Sequence, residues 1–242
     1  MKWILVFFAV WNVAGALLRM FRMMLERFPL ARRFYPKRES MTLDEATDLE
    51  LSPLAKARYR AVAEKLSRAA GIPVPELLYT PKPAMLAGAR GWRQHQLHLS
   101  RGILHQAGDK ELLAIVAHEL GHIYYRHFAV LRIAELFAAA VYARVVYGLW
   151  STDLAWYKYL GLWSLLDFSF SLFRLATGSV TELMADHFAA HKLNLAEELS
   201  HGLIRAQCFN GASEFVQITH FYPTVRLRVR LLSRYARDLN PG

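Results

Sequence analysis

The sequence Ala117-His118-Glu119-Leu120-Gly121-His122 lies within a longer stretch, Asp109 to Arg126, in which the spacing of apolar residues predicts a helix. Residues four apart stand on the same face of a helix, so His118 and His122 can direct two imidazoles at one ion. Glu119 follows the first histidine and can reach a water on that ion as a general base. The stretch therefore predicts half of a catalytic zinc site, which needs one further protein ligand and an open position.

A second stretch, Thr181 to Ala190, carries two acids at the same four-residue spacing on another helix-like run. Glu182 can complete the ligand set, and Asp186 can accept a hydrogen bond from the outer ring nitrogen of a ligand histidine. Each motif alone has a simpler explanation, because His-x-x-x-His is common in amphipathic helices and paired acids often decorate a solvated face. Together they favour one zinc ion per chain, bound by His118, His122 and Glu182, with Asp186 behind the ligands.

The two motifs in combination resemble those of a known family, the membrane zinc endopeptidases of the HtpX and CAAX-prenyl-protease type. The likeness rests on His118-Glu119-x-x-His122 followed by Glu182-x-x-Ala185-Asp186. It covers roughly Pro53 to Leu232 and includes Ala70 to Tyr79, Leu99 to Leu104, Asp109 to Leu112, and His220 with Pro223, Thr224 and Arg226, which are similar to the family's His-Pro-Pro-Thr-x-x-Arg segment.

The resemblance implies a zinc-dependent endopeptidase of α+β, predominantly helical architecture. The expected fold is a zincin-like catalytic domain with a small β-sheet, an N-terminal membrane helix and an inserted apolar helical hairpin. Glu119 is expected to take a proton from the attacking water and pass it to the leaving amine. His220 and Arg226 are expected to stabilise the oxyanion that forms near the zinc, unless either only braces the fold. In gluzincin-like proteases the strand nearest the zinc pairs with extended substrate.

The sequence departs from the family's pattern at two places, and both bear on substrate choice. Pro83 to Gly88 lacks the asparagine of the family's Asn-Ala-Phe-like strand. His220-Phe221-Tyr222-Pro223 stands where the family has His-Pro-Pro. Neither departure touches the predicted zinc chemistry.

Composition and charge point to a membrane surface as partner. The 242 residues are 54% hydrophobic, which is high for a soluble domain of this size, and the net charge of +10 predicts an anionic partner. Nucleic acid is the weaker candidate, because no recognisable binding module accompanies the charge. The single cysteine, Cys208, excludes an internal disulfide and favours a reducing compartment.

The N-terminal region, residues 1–27, is predicted to be an uncleaved membrane anchor. Trp3 to Leu18 is sixteen residues without a charge, slightly short for a bilayer core. A cleaved signal peptide is the alternative, but the positive charge follows the apolar run, at Arg19, Arg22, Arg27, Arg32, Arg33, Lys37 and Arg38. By the positive-inside rule the catalytic domain is then cytoplasmic, at the inner membrane if the source is bacterial. Residues 28–51 are predicted to be a basic juxtamembrane linker.

The region between the two zinc motifs, residues 129–177, is predicted to be an apolar helical hairpin. Ala129 to Trp150 and Leu154 to Ala176 are each long enough to cross a bilayer, which favours membrane insertion. The alternative is a soluble hairpin packed on the core. On this division residues 52–128 and 178–242 form the two parts of the catalytic domain.

The expected substrates are unfolded or membrane-associated polypeptides, cut during membrane-protein quality control or processing. A zinc-binding membrane scaffold or chaperone without turnover is one alternative, although a pure scaffold has no need of Glu119. A secreted or periplasmic protease, soluble after signal cleavage, is another. The sequence predicts neither the oligomeric state nor the identity of the substrate.

Overall fold

The structure, a computed structural model, describes residues 40–47, 51–91, 94–150, 156–210 and 223–239. The described part is predominantly helical with one small mixed sheet, as predicted, and the predicted N-terminal anchor lies outside it. Its elements are β1 (Met41–Thr42), α1 (Pro53–Ala70), β2 (Glu76–Thr80), β3 (Ala87–Arg90), β4 (Gln96–Ser100), α2 (Arg101–Gln106), α3 (Asp109–Tyr124), α4 (His127–Trp150), α5 (Trp156–His187), a π-helical segment (Phe188–Lys192), α6 (Ala196–Asn210) and α7 (Val225–Leu239).

Helix α1 shows how local sequence fixes an element that braces the sheet. Ser52 caps its N-terminus by accepting a hydrogen bond from the Ala55 amide at 3.3 Å, and Pro53 occupies the first helical position. Gly71 ends the helix with φ at 70°, a left-handed conformation that glycine adopts without a steric penalty. Tyr59 of α1 is completely buried, and its hydroxyl donates a hydrogen bond to the Leu97 carbonyl of β4 at 2.8 Å.

The sheet has the strand order β1-β2-β4-β3. Strands β2 and β4 are parallel, whereas β1 on β2 and β3 on β4 are antiparallel. Among the described strands β3 therefore lies at an edge. The backbone just before β3 is fixed from afar by Asn210 at the end of α6, whose side chain accepts from the Met85 amide and donates to the Met85 carbonyl, both at 2.9 Å.

Helix α3 runs through the centre of the hydrophobic core. Leu112, Val116 and Leu120 on it are completely buried, and they belong to one cluster with residues of α1, β4 and α6. Burying an aliphatic side chain stabilises a fold by about 1.5–3 kcal/mol. Because the partners of α3 lie on α1, β4 and α6, this helix is held from several sides at once. The His118–His122 motif is therefore built on a rigid element.

Helices α4 and α5 occupy the region 129–177, which the sequence predicts to be a hairpin, and α5 extends beyond that region. It continues to His187, so the second zinc motif lies in the last turns of the same helix rather than on a separate one. Within the described residues, no helix combines the length and apolarity that crossing a membrane requires. The hairpin and its insertion in a bilayer both stay predictions.

The chain divides into two compact units. The described residues of Glu39–Ala129 and Leu175–Gly242 form one of them, and those of Val130–Arg174 belong to the other. The first unit contains the sheet, α3 and α7, and it contains both zinc motifs. All residues of the candidate site therefore belong to one compact body.

Candidate metal centre

Helices α3 and α5 bring the three predicted ligands together. The Nε2 atoms of His118 and His122 lie 3.2 Å apart. One carboxylate oxygen of Glu182 lies 3.4 Å from His118 Nε2, and the other lies 3.5 Å from His122 Nε2. Both histidines are buried and Glu182 is nearly so. Within the described residues this is the group of histidines and acids that could hold a metal ion.

The donor set fits a zinc ion in both geometry and charge. Tetrahedral zinc with bonds of about 2.0–2.1 Å separates its ligand atoms by about 3.3–3.4 Å, close to the spacing of these donors. Imidazole nitrogen and carboxylate oxygen are ligands that zinc prefers. Glu119 and Asp186 add two buried acids to Glu182, against one buried arginine in the described part of the chain, Arg228. A divalent cation balances that excess of negative charge.

A glycine lets the two ligand helices approach closely. A Cβ on Gly121 of α3 would stand 2.9 Å from Ala185 Cα and 3.2 Å from Phe188 Cβ. Only a residue without a side chain allows this approach, which places the Glu182 turn of α5 beside His118 and His122. The glycine inside the motif therefore has a packing reason.

The outer ring nitrogen of His118 faces Asp186, which is the contact that the sequence predicts. His118 Nδ1 lies 2.9 Å from Asp186 Oδ1, and Asp186 is only 2% exposed. Such a contact fixes the ring orientation and leaves Nε2 directed at the metal position. Arg228 donates two hydrogen bonds of 2.7 Å to the same carboxylate, and its Nη1 lies 3.1 Å from Glu182. The arginine thus contacts both acids.

The arginine at the site is Arg228, whereas the sequence pointed to Arg226. Arg228 is 8% exposed, but Arg226 is solvent-exposed. Two residues on a helix are separated by about 200°, so these side chains face opposite sides of α7. The family's arginine stands six residues after its histidine, and counting six residues from His220 selects Arg226. This spacing therefore gave no signal for Arg228. His220 lies outside the described residues, and its role stays a prediction.

Glu119 lies beside the three ligands and touches the edge of the sheet. Its carboxylate accepts a hydrogen bond from the backbone of Ala89 in β3. Burial raises the pKa of Glu119 to about 7, although the neighbouring His118 and Arg228 favour the charged form. A carboxyl group that titrates near neutral pH can both accept and return a proton.

The metal-free histidines differ in their protonation. Burial lowers the pKa of His122 to about 3, which leaves a neutral imidazole suited to binding a metal. Burial and Arg228 also oppose a charge on His118, but hydrogen bonds to Asp186 and Glu182 prevail and raise its pKa to about 10. His118 and Arg228 in turn hold the pKa of Glu182 and the pKa of Asp186 below their usual range, although burial acts in the opposite direction. In the metal-free site, the proton on His118 therefore supplies positive charge that a bound metal ion would otherwise supply.

Sequence reasoning missed one histidine at this site. His127, in the first turn of α4, places its Nδ1 2.8 Å from His122 Nδ1. It follows His122 by five residues, a spacing that does not bring two side chains together on a continuous helix. The contact depends on the turn between α3 and α4, which the periodicity of apolar residues does not reveal.

Known proteins resemble this chain in sequence. The sequence profile described as Peptidase family M48 matches residues 53–236, about three quarters of the chain. A "Protease HtpX homolog" of Sulfurovum sp. (strain NBC37-1) is 27% identical over 151 residues, which are 60% of this chain and 55% of that protein. Another from Pyrococcus abyssi is 34% identical over 92 residues, 37% of this chain and 32% of that protein. The chain thus spans about half, or less, of these curated relatives.

A solved structure shows that the fold is shared as well. The crystal structure of Ste24p from S. mikatae matches with a TM-score of 0.61, covering 94% of this chain and 58% of that one. At 15% identity this likeness concerns the fold alone. With the profile match, it confirms the resemblance to the HtpX and CAAX-prenyl-protease type. The chain belongs to peptidase family M48.

Proposed function

We propose that this protein is a membrane-associated zinc endopeptidase. The observation that carries the proposal is the triangle of His118, His122 and Glu182, whose donor atoms have the spacing of zinc ligands, with Glu119 beside it. Three protein ligands leave a fourth position for a reacting group, which is the arrangement of catalytic rather than structural zinc.

The chemistry proposed for the chain's own residues is a proton transfer at Glu119. When bound, zinc would supply Lewis-acid polarisation of the scissile carbonyl and of the attacking water. Glu119 takes the proton from that water and delivers it to the leaving amine. Asp186 holds His118 in the orientation that presents Nε2, and Arg228 holds Asp186 and Glu182 in place.

The free edge of β3 supports a polypeptide substrate. The Ser100 amide donates to the Leu86 carbonyl at 2.9 Å, so in this antiparallel pair the backbone groups of Ala87 and Ala89 alternate to the other side. Ala89 points its amide at Glu119, which sets this edge directly beside the proposed base. An extended chain can add to the edge as a further strand, with its scissile bond next to Glu119. A strand that continues on both sides of the cut makes the enzyme an endopeptidase.

The membrane association rests on the sequence. The sixteen uncharged residues Trp3 to Leu18, followed by a run of basic residues, favour an anchor with the catalytic unit on the cytoplasmic side. A site held close to a bilayer favours unfolded or membrane-associated polypeptides as substrates.

The test uses the full chain purified in detergent with a chelator present. Zinc is then added back, and cleavage of casein is followed for the natural sequence, Glu119→Gln, and Glu197→Gln as a control on the exposed start of α6. Zinc-dependent cleavage that falls by about 100-fold or more only in Glu119→Gln supports the proposal. Bound zinc with no cleavage by any of the three supports the scaffold or chaperone instead.

The location has its own test. Cells expressing the full chain are fractionated and washed with alkaline carbonate, and the purified protein is sequenced from its N-terminus. Retention in the membrane with the apolar run intact supports the anchor. A soluble chain that begins near Leu17 supports the secreted alternative.

A further inference from the structure

The contact between His122 and His127 lies directly beside the candidate metal site. His122 presents Nε2 to the other two ligands and Nδ1 to the Nδ1 of His127, at 2.8 Å. His127 is 3% exposed, and its two ring nitrogens differ. Nδ1 contacts His122, whereas Nε2 has no hydrogen-bond partner among the described residues. A buried polar ring beside a metal ligand calls for a specific reason.

A left-handed residue makes this contact possible. In a continuous α-helix, residues five apart are separated by about 140° around the axis, so His122 and His127 would diverge. Arg126 instead adopts φ of 52°, a left-handed conformation that is unfavourable for a residue other than glycine. The chain turns there between α3 and α4, and the ring of Tyr125 stacks on His127 with an interplanar angle of 15°. The turn and the stacked ring hold His127 against the last turn of α3.

Hydrogen-bond chemistry then fixes the proton positions. When Nε2 of His122 binds a metal, its Nδ1 carries the proton and must donate it. The atom that faces it is Nδ1 of His127, which can accept only when His127 is neutral and protonated on Nε2. We propose that His127 is a positioning residue for the zinc centre, which accepts the Nδ1 proton of His122 and so holds that ligand in the tautomer and orientation required for coordination.

The two ligand histidines are thereby held by different acceptors. His118 faces the carboxylate of Asp186 at 2.9 Å, whereas His122 faces a neutral imidazole. A carboxylate at both positions would add a further buried negative charge to a site that already contains three acids. The neutral acceptor orients His122 without adding that charge.

The inference rests on the proposed zinc centre but not on turnover, so its test measures zinc binding. His127→Phe keeps a ring of similar size without an acceptor, and His127→Asn returns an acceptor oxygen close to the position of Nδ1. His105→Phe, on the exposed face of α2, is the control. All are purified as full chains, and zinc affinity is measured by competition with a chromophoric chelator. The visible spectrum of the cobalt-loaded protein reports the ligand geometry.

We expect His127→Phe to bind zinc about 10- to 100-fold more weakly and to alter the cobalt spectrum. His127→Asn is expected to stay within about threefold of the natural chain, like His105→Phe. Zinc binding by His127→Phe that is as tight as in the natural chain would overturn the proposal. So would equal losses in His127→Phe and His127→Asn, because packing rather than the acceptor would then be responsible.

A second measurement on the natural chain decides the matter if His127→Phe does not fold. Long-range proton–nitrogen NMR correlations of the zinc-loaded, histidine-labelled protein identify the tautomers, and His127→Asn assigns the signal of His127. The expected result is a proton on Nε2 of His127 and on Nδ1 of His122. A proton on Nδ1 of His127 contradicts the proposal. Bound zinc without casein cleavage would count against the proposed peptidase and not against His127, whereas a natural chain that binds no zinc would refute both.

Discussion

A Cβ on Gly121 would lie 2.9 Å from the Cα of Ala185 and 3.1 Å from its carbonyl oxygen, so the backbones of α3 and α5 meet directly beside the proposed metal ligands. The contact joins the two halves of the ligand set. One helix supplies the histidines and the other supplies Glu182, and the distance between the helices sets the distance between the donors. The geometry of the centre is therefore sensitive to volume at this one point.

Replacing Gly121 by alanine is expected to separate the two helices. The added methyl group meets backbone that cannot yield as a flexible side chain would, at a cost of about 1–3 kcal/mol. Because the shift moves Glu182 away from both histidines, zinc affinity should fall by about tenfold or more. Chelator competition measures the affinity, and denaturant unfolding measures the stability.

The matched control for that substitution is Gly202→Ala. Gly202 lies on α6 where it packs against α3, but its Cβ would lie 3.4 Å from the Ile115 side chain and 3.9 Å from the Glu111 carbonyl oxygen, which are ordinary contacts. Helix propensity favours alanine by about 1 kcal/mol, so stability should be unchanged or slightly higher. Equal zinc affinity in the two variants would contradict the proposed role of the Gly121 contact.

Arg228→Met is expected to destabilise the protein by about 3–5 kcal/mol, because it removes the guanidinium that donates two hydrogen bonds to the buried Asp186. Denaturant titration of the purified chain measures the free energy of unfolding. Arg226→Met, two residues earlier on the exposed face of α7, should change it by less than about 0.5 kcal/mol. A similar loss in both variants would show that the burial of Arg228 does not matter.

Zinc binding is expected to strengthen as the pH rises. In the metal-free protein His118 has a pKa of about 10, so below that pH it carries a proton that the metal must displace. About one proton should be released per zinc ion at about pH 7, and the apparent affinity should rise by about tenfold per pH unit between about pH 6 and 9. Calorimetry in two buffers of different ionisation enthalpy counts the protons.

The variant Asp186→Asn tests the origin of that dependence. Removing the carboxylate removes a hydrogen bond that raises the pKa of His118. Fewer protons should then be released at about pH 8, and the slope of affinity against pH should decrease. An unchanged proton count would assign the displaced proton to another group.

Asn210→Ala is expected to weaken substrate binding while leaving the metal in place. The asparagine makes both backbone hydrogen bonds of Met85, which precedes β3, at 2.9 Å. Without it the edge proposed to pair with substrate is less fixed, so KM for casein should rise several-fold with little change in zinc affinity. Cys208→Ala, exposed at the same end of α6, is the control. A loss of zinc affinity would place the effect at the metal centre instead.

The parts of this structure that sequence predicts are those set by local periodicity. The helical period puts His118 and His122 on one face, and the caps at Ser52 and Gly71 fix both ends of α1. The spacing of Glu182 and Asp186 likewise places them one turn apart. In each case the residues that decide the outcome lie within a few positions of one another.

The parts that sequence did not predict depend on tertiary contacts. Arginine alternates with apolar residues at the start of α7, so only packing decides that Arg228 rather than Arg226 turns inward. His127 reaches the site through the left-handed conformation of Arg126, which no local pattern signals. Asn210 contacts Met85 across 125 positions of sequence. These contacts form only when distant parts of the chain have packed together.

The short strand β1 has a consequence for self-association. An unpaired strand edge is a template on which further chains can pair and aggregate, and very short edge strands offer little to pair with. Met41 and Thr42 pair with Tyr79 and Leu78, so one edge of the described sheet is a strand of only 2 residues. The opposite edge, β3, is only four residues long. A second copy of the sheet therefore meets only short edges, which discourages end-to-end stacking of the protein into fibres.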